Sequence, residues 1–155
     1  APKGRMDVVK KGDNIIVIDY AHTPDAVNKI ITSSRELNPN KIITIVGCGG
    51  NRDKSKRPIM ANISCELSDY SICTSDNPRD EEISEILNDM IQNLDKNNYE
   101  TIENREKAII KGIQMLKKND ILLVLGKGHE NYQEIKGVKH HFDDVEEVTK
   151  ALNEK

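Results

Sequence analysis

Short apolar runs rich in Ile and Val alternate along the chain with longer stretches in which apolar residues recur every three or four positions. The short runs suit strands and the longer stretches suit helices that cover them. The pattern therefore predicts an α/β fold, a Rossmann-like three-layer domain with a mostly parallel sheet of about six strands. Strands are expected at Met6 to Lys10, Ile15 to Asp19, Lys41 to Val46, Tyr70 to Thr74 and Ile121 to Leu125, with a weaker one at Tyr99 to Ile102. The central runs are apolar without alternation, as happens when helices cover both faces of a sheet. Pro24 to Leu37 places Ala26, Val27, Ile30, Ile31 and Leu37 on a helical repeat, with Thr23 as N-cap and Pro24 in the first turn. Further helices are expected from Arg57 or Pro58 to Ser68, over Glu81 to Leu94 and over Arg105 to Leu116. Asp80, Glu81 and Glu82 would complement the dipole at the start of the third. Gln133 to His141 reads as a hairpin turning at Lys136 and Gly137, before a last helix from Asp143 or Asp144.

Composition narrows what such a fold can serve. The 155 residues suit one domain, residues 1–155, with a core that needs no disulfide or metal. Lys and Arg total 23 against 26 Asp and Glu, a net charge of -3 that gives no pull toward nucleic acid or an anionic membrane. Trp is absent and Phe142 is the single Phe, so platforms for stacking bases are not expected. No apolar run approaches the roughly 20 residues of a membrane span, and the N-terminus has no signal-peptide core, so a soluble cytoplasmic protein is expected. Cys48, Cys65 and Cys73 form no C-x-x-C pair and read as free thiols.

Ligands of open α/β sheets bind beyond the carboxyl ends of the strands. The segments in those places are Asp19 to Pro24, Gly47 to Asp53, Ser75 to Arg79 and Gly126 to Glu130. Neither glycine segment completes a nucleotide motif. Arg52 stands where the dinucleotide fingerprint after Gly47-x-Gly49 requires glycine, and Gly126-Lys127-Gly128 lacks both the earlier glycine and the Ser or Thr of a P-loop. The charged residues say more. Arg52 and Arg79 can each grip a carboxylate with a two-pronged fork, while Asp76 and Glu130 can receive an ammonium, so the four suit a ligand with zwitterionic ends. The plain alternative is that Asp76 to Arg79 is a turn whose Arg pairs with nearby acids. His22 and Asp19 could meet a nucleotide, or His22 could simply cap a helix. His140 and His141 are adjacent strand residues that face opposite sides and cannot chelate together, and no metal site is expected.

Taken together, these loops resemble the C-terminal domain of the Mur ligases, of the MurE type. Gly4-Arg5-Met6-Asp7, Asp19 to Ala26 (DYAHTPDA), Gly47 to Asp53 (GCGGNRD) with Lys56-Arg57-Pro58, Asp76 to Arg79 (DNPR), and Gly126 to Glu130 (GKGHE) with Tyr132-Gln133 follow in the family's order. The resemblance implies an ATP-dependent, ADP-forming ligase of peptidoglycan biosynthesis. It would add meso-diaminopimelate to UDP-MurNAc-L-Ala-D-Glu through an acyl phosphate, using ATP and Mg2+. By motif position, Arg5, Asp19 and His22 would bind ATP. Arg52 would hold the carboxylate at the reacting end of the amino acid, and Asn77 and Arg79 the distal carboxylate. The Gly126 carbonyl and Glu130 would take the distal ammonium, with Asp76 supporting the loop. Lysine-adding relatives usually lack the Arg of DNPR, and an unpaired guanidinium here would cost about 1 to 3 kcal/mol. Meso-lanthionine has the same two ends and stays open as a ligand. Asn51 departs from the Asp of many relatives. The resemblance also implies an N-terminal UDP-binding domain and a central ATPase domain outside these residues. This chain would contact the central domain, and alone it would be inactive. Two other readings remain, a folylpolyglutamate-type or muropeptide-recycling ligase domain, and a stand-alone ATP or amino-acid-binding module.

Overall fold

The structure, a computed structural model, describes residues 6–155. A hairpin opens it, β1 (Asp7–Lys11) pairing antiparallel with β2 (Asn14–Asp19) around Gly12. Then follow α1 (Pro24–Arg35), β3 (Ile42–Cys48), α2 (Lys56–Leu67), β4 (Tyr70–Ser75), α3 (Ile83–Ile91), β5 (Tyr99–Ile102), α4 (Arg105–Met115) and β6 (Ile121–Leu125). The small hairpin of β7 (Tyr132–Ile135) and β8 (Val138–His141) precedes α5 (Asp144–Glu154). Six strands form one sheet in the order β1-β2-β6-β3-β4-β5, parallel throughout except for β1.

This order explains the three layers. From β2 the chain steps outward through β3 and β4 to β5, then returns to insert β6 between β2 and β3. Right-handed crossovers put the connecting helices of the outward run on one face and that of the return on the other. Accordingly Val27, Met60 and Ile86, from α1, α2 and α3, share a core with Val17, Val46, Leu123 and Leu125. Ile109 and Ile113 of α4 and Val148 of α5 share the other with Ile18, Ile45, Leu122 and Val124. Successive β6 residues thus feed opposite cores, which is why Ile121 to Leu125 is apolar at every position.

The elements depart from expectation where side chains are spent elsewhere. β3 runs on to Cys48, because Gly47 and Cys48 pair with Thr74 and Ser75; both belong to the strand and not to the loop after it. The first helix stops at Arg35, short of Leu37, which is 62 % exposed ahead of the left-handed Asn38. The third helix starts at Ile83, since Glu81 accepts hydrogen bonds from Arg57 and Asn51 instead of lying in the first turn. Thr23 caps α1 through Ala26 N, Pro24 occupies its first turn, and Lys136 and Gly137 form the β7–β8 turn with positive φ.

Candidate functional site

The carboxyl ends of β2, β3, β4 and β6 meet on one rim, and beyond them lies a cleft of about 200 Å³. Arg52, Asp76, Asn77, Arg79, Gly126, Glu130 and His22 all line it. Four loops far apart in sequence are brought together because insertion of β6 puts its end beside those of β2 and β3.

Packing between loops fixes the cleft's shape. Gly50 N donates to Asn77 O at 2.8 Å, and a Cβ built on Gly50 would stand 1.9 Å from Pro78 O. The glycines after β3 thus let the Asn77–Arg79 loop come close, a use unrelated to phosphate. On its other side that loop is zipped to β7. Arg79 N donates to Glu134 O, Lys136 N donates to Arg79 O, and Gln133 Nε2 donates to Asp76 O at 2.6 Å. Arg79 sits in the left-handed region, φ 52°, which an isolated Arg would avoid. Its Nη1 donates to Gly50 O at 3.0 Å, and its Nε lies 3.6 Å from Glu134. The guanidinium is therefore part anchored and part facing the cleft. Arg52, by contrast, is exposed and donates locally to Asn51 O.

Charge in the cleft is organised by a residue that does not line it. Lys127 is fully buried, with Nζ 3.1 Å from Asp76 Oδ1, 3.1 Å from Asn77 Oδ1 and 3.5 Å from Glu130 Oε1. The acids lie beside Tyr20 as well, whose hydroxyl is pushed to higher pKa first by burial and then by the charges of Glu130 and Asp76. Tyr132 is shifted the same way, first by Glu130. Both phenols stay neutral donors near pH 7. Cys48 also lines the cleft, but burial pushes its thiol up to about 12, so it is no nucleophile. The described cysteines are all free and buried.

Two further buried cations brace the rim. Arg57 donates to Glu81, Asp89 and Gly49 O, joining α2, α3 and the glycine loop. Hydrogen bonds from Arg57, and then from Asn51 N, hold the Glu81 carboxyl down at about 2. Asn51 has φ 54° and donates through Nδ2 to Asp80 at 2.8 Å. An Asp at this position would face Asp80 as a like charge, so the side chain at 51 fits its neighbour here. Arg105, also buried, makes a bidentate pair with Asp144 and donates to Ser75 O and Leu125 O, the last carbonyls of β4 and β6. Sequence reasoning missed Lys127, Arg57, Arg105, Tyr20 and Gln133 as parts of this site. The available signal concerned Lys127 alone, which stands two residues after the all-apolar run Ile121 to Leu125 and three before Glu130, where a lysine close to the buried strand end needs an acidic partner.

Asp19, His22 and Thr23 border a neighbouring cleft of about 300 Å³ at the start of α1. The two Asp19 oxygens accept from Met6 N and Ala21 N, and a carboxylate has lone pairs left for a hydroxyl. His22 Nδ1 lies 2.9 Å from Tyr20 O and must donate to it, so in the neutral ring Nε2 is an acceptor. Asp19 and His22 Nε2 thus both present acceptors to this cleft. Arg5 lies outside the described residues. Among the described residues no group of three His, Cys, Asp or Glu could hold a metal ion, and no helix is long and apolar enough to cross a membrane.

Comparison with known proteins gives a consistent picture. The family described as Mur ligase, glutamate ligase domain, matches residues 4–128. The chain is 46% identical over 154 residues to the UDP-N-acetylmuramoyl-L-alanyl-D-glutamate--2,6-diaminopimelate ligase 1 of Clostridium acetobutylicum, covering 97% of this chain and 32% of that protein. It is 48% identical over 156 residues to the corresponding ligase of Bacteroides thetaiotaomicron, covering 97% and 32%. A solved structure of a UDP-N-acetylmuramoyl-L-alanyl-D-glutamate--2,6-diaminopimelate ligase superposes with a TM-score of 0.94 at 42% identity, covering 99% of this chain and 32% of that one. The chain spans about a third of the length of the curated relatives it matches.

Proposed function

Because the chain belongs to the Mur ligase family through its glutamate ligase domain, we propose that it is the amino-acid-selecting domain of an ATP-dependent, ADP-forming ligase that adds meso-diaminopimelate to UDP-MurNAc-L-Ala-D-Glu. The observation that carries this reading is the pairing of signs in one cleft. Arg52 and Arg79 face it as cations, and Asp76 and Glu130 face it as acids backed by Lys127. Arg52, exposed and only locally bonded, takes the carboxylate next to the reacting amine. Arg79 and Asn77 take the distal carboxylate, and Glu130 with the Gly126 carbonyl takes the distal ammonium. Asp76, nearly buried, acts mainly through Lys127.

The neighbouring cleft would hold the nucleotide, with Asp19 toward the ribose, His22 toward the base, and Arg5 toward the phosphates. ATP with Mg2+ supplies activation of the acceptor carboxyl when bound, and the residues that hold the metal lie outside this set. What the chain itself contributes is orientation: an anchored carboxylate site at Arg79 and Asn77, with Arg52 opposite, places the diaminopimelate amine at one end of the cleft. The central domain is the partner that this rim would face, and the cytoplasm is the compartment that supplies such substrates.

Replacing Arg79 by Ala in the full-length protein that carries this domain tests the reading. Loss of one charge-assisted fork should raise the KM for diaminopimelate by about tenfold to a hundredfold, with a smaller effect on kcat. An unchanged KM would remove Arg79 from the site. Competition among lysine, meso-diaminopimelate and meso-lanthionine in the same assay assigns the ligand.

A further inference from the structure

We infer that Lys127, which never reaches the cleft surface, is the positioning residue that sets the cleft's polarity toward a ligand end bearing both a carboxylate and an ammonium. The inference rests on the diaminopimelate reading and deepens it. An ammonium offers three N–H donors and accepts nothing. Those donors face Asp76 Oδ1, Asn77 Oδ1 and Glu130 Oε1, at 3.1, 3.1 and 3.5 Å.

The first consequence concerns Asn77, whose amide could in principle point either way. Lys127 Nζ and Glu134 N, at 3.1 and 2.9 Å, both donate to the same amide atom, so that atom must be the oxygen. A flipped amide would set its own N–H groups against an ammonium and a backbone N–H. Nδ2 is thereby turned toward Glu130, 3.4 Å away, at the cleft wall. One Nδ2 hydrogen is spent on Glu130, and the second N–H of the same amide is the donor left for a ligand carboxylate.

The second consequence concerns charge. Asp76 and Glu130 together carry two negative charges, and Lys127 offsets one of them, leaving the complement of a single ammonium. Among the described residues no other buried cation behind this rim is free to replace it, since Arg105 is committed to Asp144 and Arg57 to Glu81 and Asp89. One buried side chain thus fixes a donor for the ligand carboxylate and an acceptor for the ligand ammonium.

The test uses Lys127→Met and Lys127→Arg in the full-length protein, with kcat and KM for diaminopimelate and for lysine. Wild type is expected to prefer diaminopimelate. Lys127→Met should raise its KM about tenfold or more, with kcat changed by less than about threefold, because a positioning loss falls on binding. The preference for diaminopimelate over lysine should shrink by a similar factor, since lysine has no distal carboxylate for Asn77 to read. Lys127→Arg keeps the charge and should recover part of that preference. If Lys127→Met retains both KM and preference, the inference is overturned. If wild type itself does not use diaminopimelate, the underlying reading fails and takes the inference with it, a result visible before any substitution. A crystal structure of the wild-type protein with diaminopimelate needs no variant to fold. A ligand carboxylate on Asn77 Nδ2 with Lys127 still on Oδ1 supports the inference, and a carboxylate bound to Lys127 itself, or away from Asn77, overturns it.

Discussion

Glu81 shows how much one side chain carries when several neighbours depend on it. Its carboxylate takes two bonds from buried Arg57 and one from Asn51 N, and its folded pKa of about 2 lies below the ordinary 4.5. A depressed carboxyl adds stability that is fully present above the ordinary value and is lost as pH falls through the folded one. Wild type should therefore lose at most about 3 kcal/mol through this group between roughly pH 5 and pH 2. Glu81→Gln, which cannot ionise, should start lower at pH 7 and show a shallower acid limb in urea unfolding. Parallel curves for the two proteins would contradict the role given to Glu81. The same residue explains a misplaced helix start: three acids in a row look like N-terminal dipole partners, and nothing local reveals that Arg57 claims one of them.

Between helices, a fully buried ion pair ties Arg105 to Asp144, the first residue of α4 to the first residue of α5. Arg105 also binds the end carbonyls of β4 and β6, so it holds the strand ends from which the cleft loops depart. Arg105→Met should cost about 3 to 5 kcal/mol, because it leaves Asp144 buried and unpaired. Adding Asp144→Asn should recover a good part of that loss in urea unfolding, and a strictly additive double variant would refute the coupling. The elements themselves were legible in the sequence, since Ile121 to Leu125 and the repeat through Val27, Ile30 and Ile31 depend only on which faces are buried. The antiparallel β1 was readable as a strand, but its direction relative to β2 was not assigned from the turn at Gly12. Arg79 and Glu130 could be picked out because exposed-type residues gathered after strands. Arg57 and Arg105 could not, because a charged side chain is ordinarily placed in solvent until the fold supplies its partners.

At the scale of the whole molecule, one sheet separates two cores and gathers its chemistry at one edge. Both glycine segments on that edge are spoken for: Gly50 by the approach of Pro78, and Gly126 by a φ of 115° beside Asp76. Neither is left to cradle a phosphate chain. The 155-residue chain mixed with ATP, diaminopimelate and the UDP-linked dipeptide should accordingly release ADP no faster than a protein-free control. Release above that background would show a phosphate-activating site within these residues.

Gly50 also governs how such a domain can diverge. Any side chain there would force apart two backbone segments, and one of them carries Asn77 and Arg79. As long as Gly50 is kept, the two loops stay in backbone contact. The simplest change of ligand is then an exchange of side chains on that backbone. The loss of a guanidinium at position 79 would be such a step, and descendants would then differ in what they select long before they differ in shape.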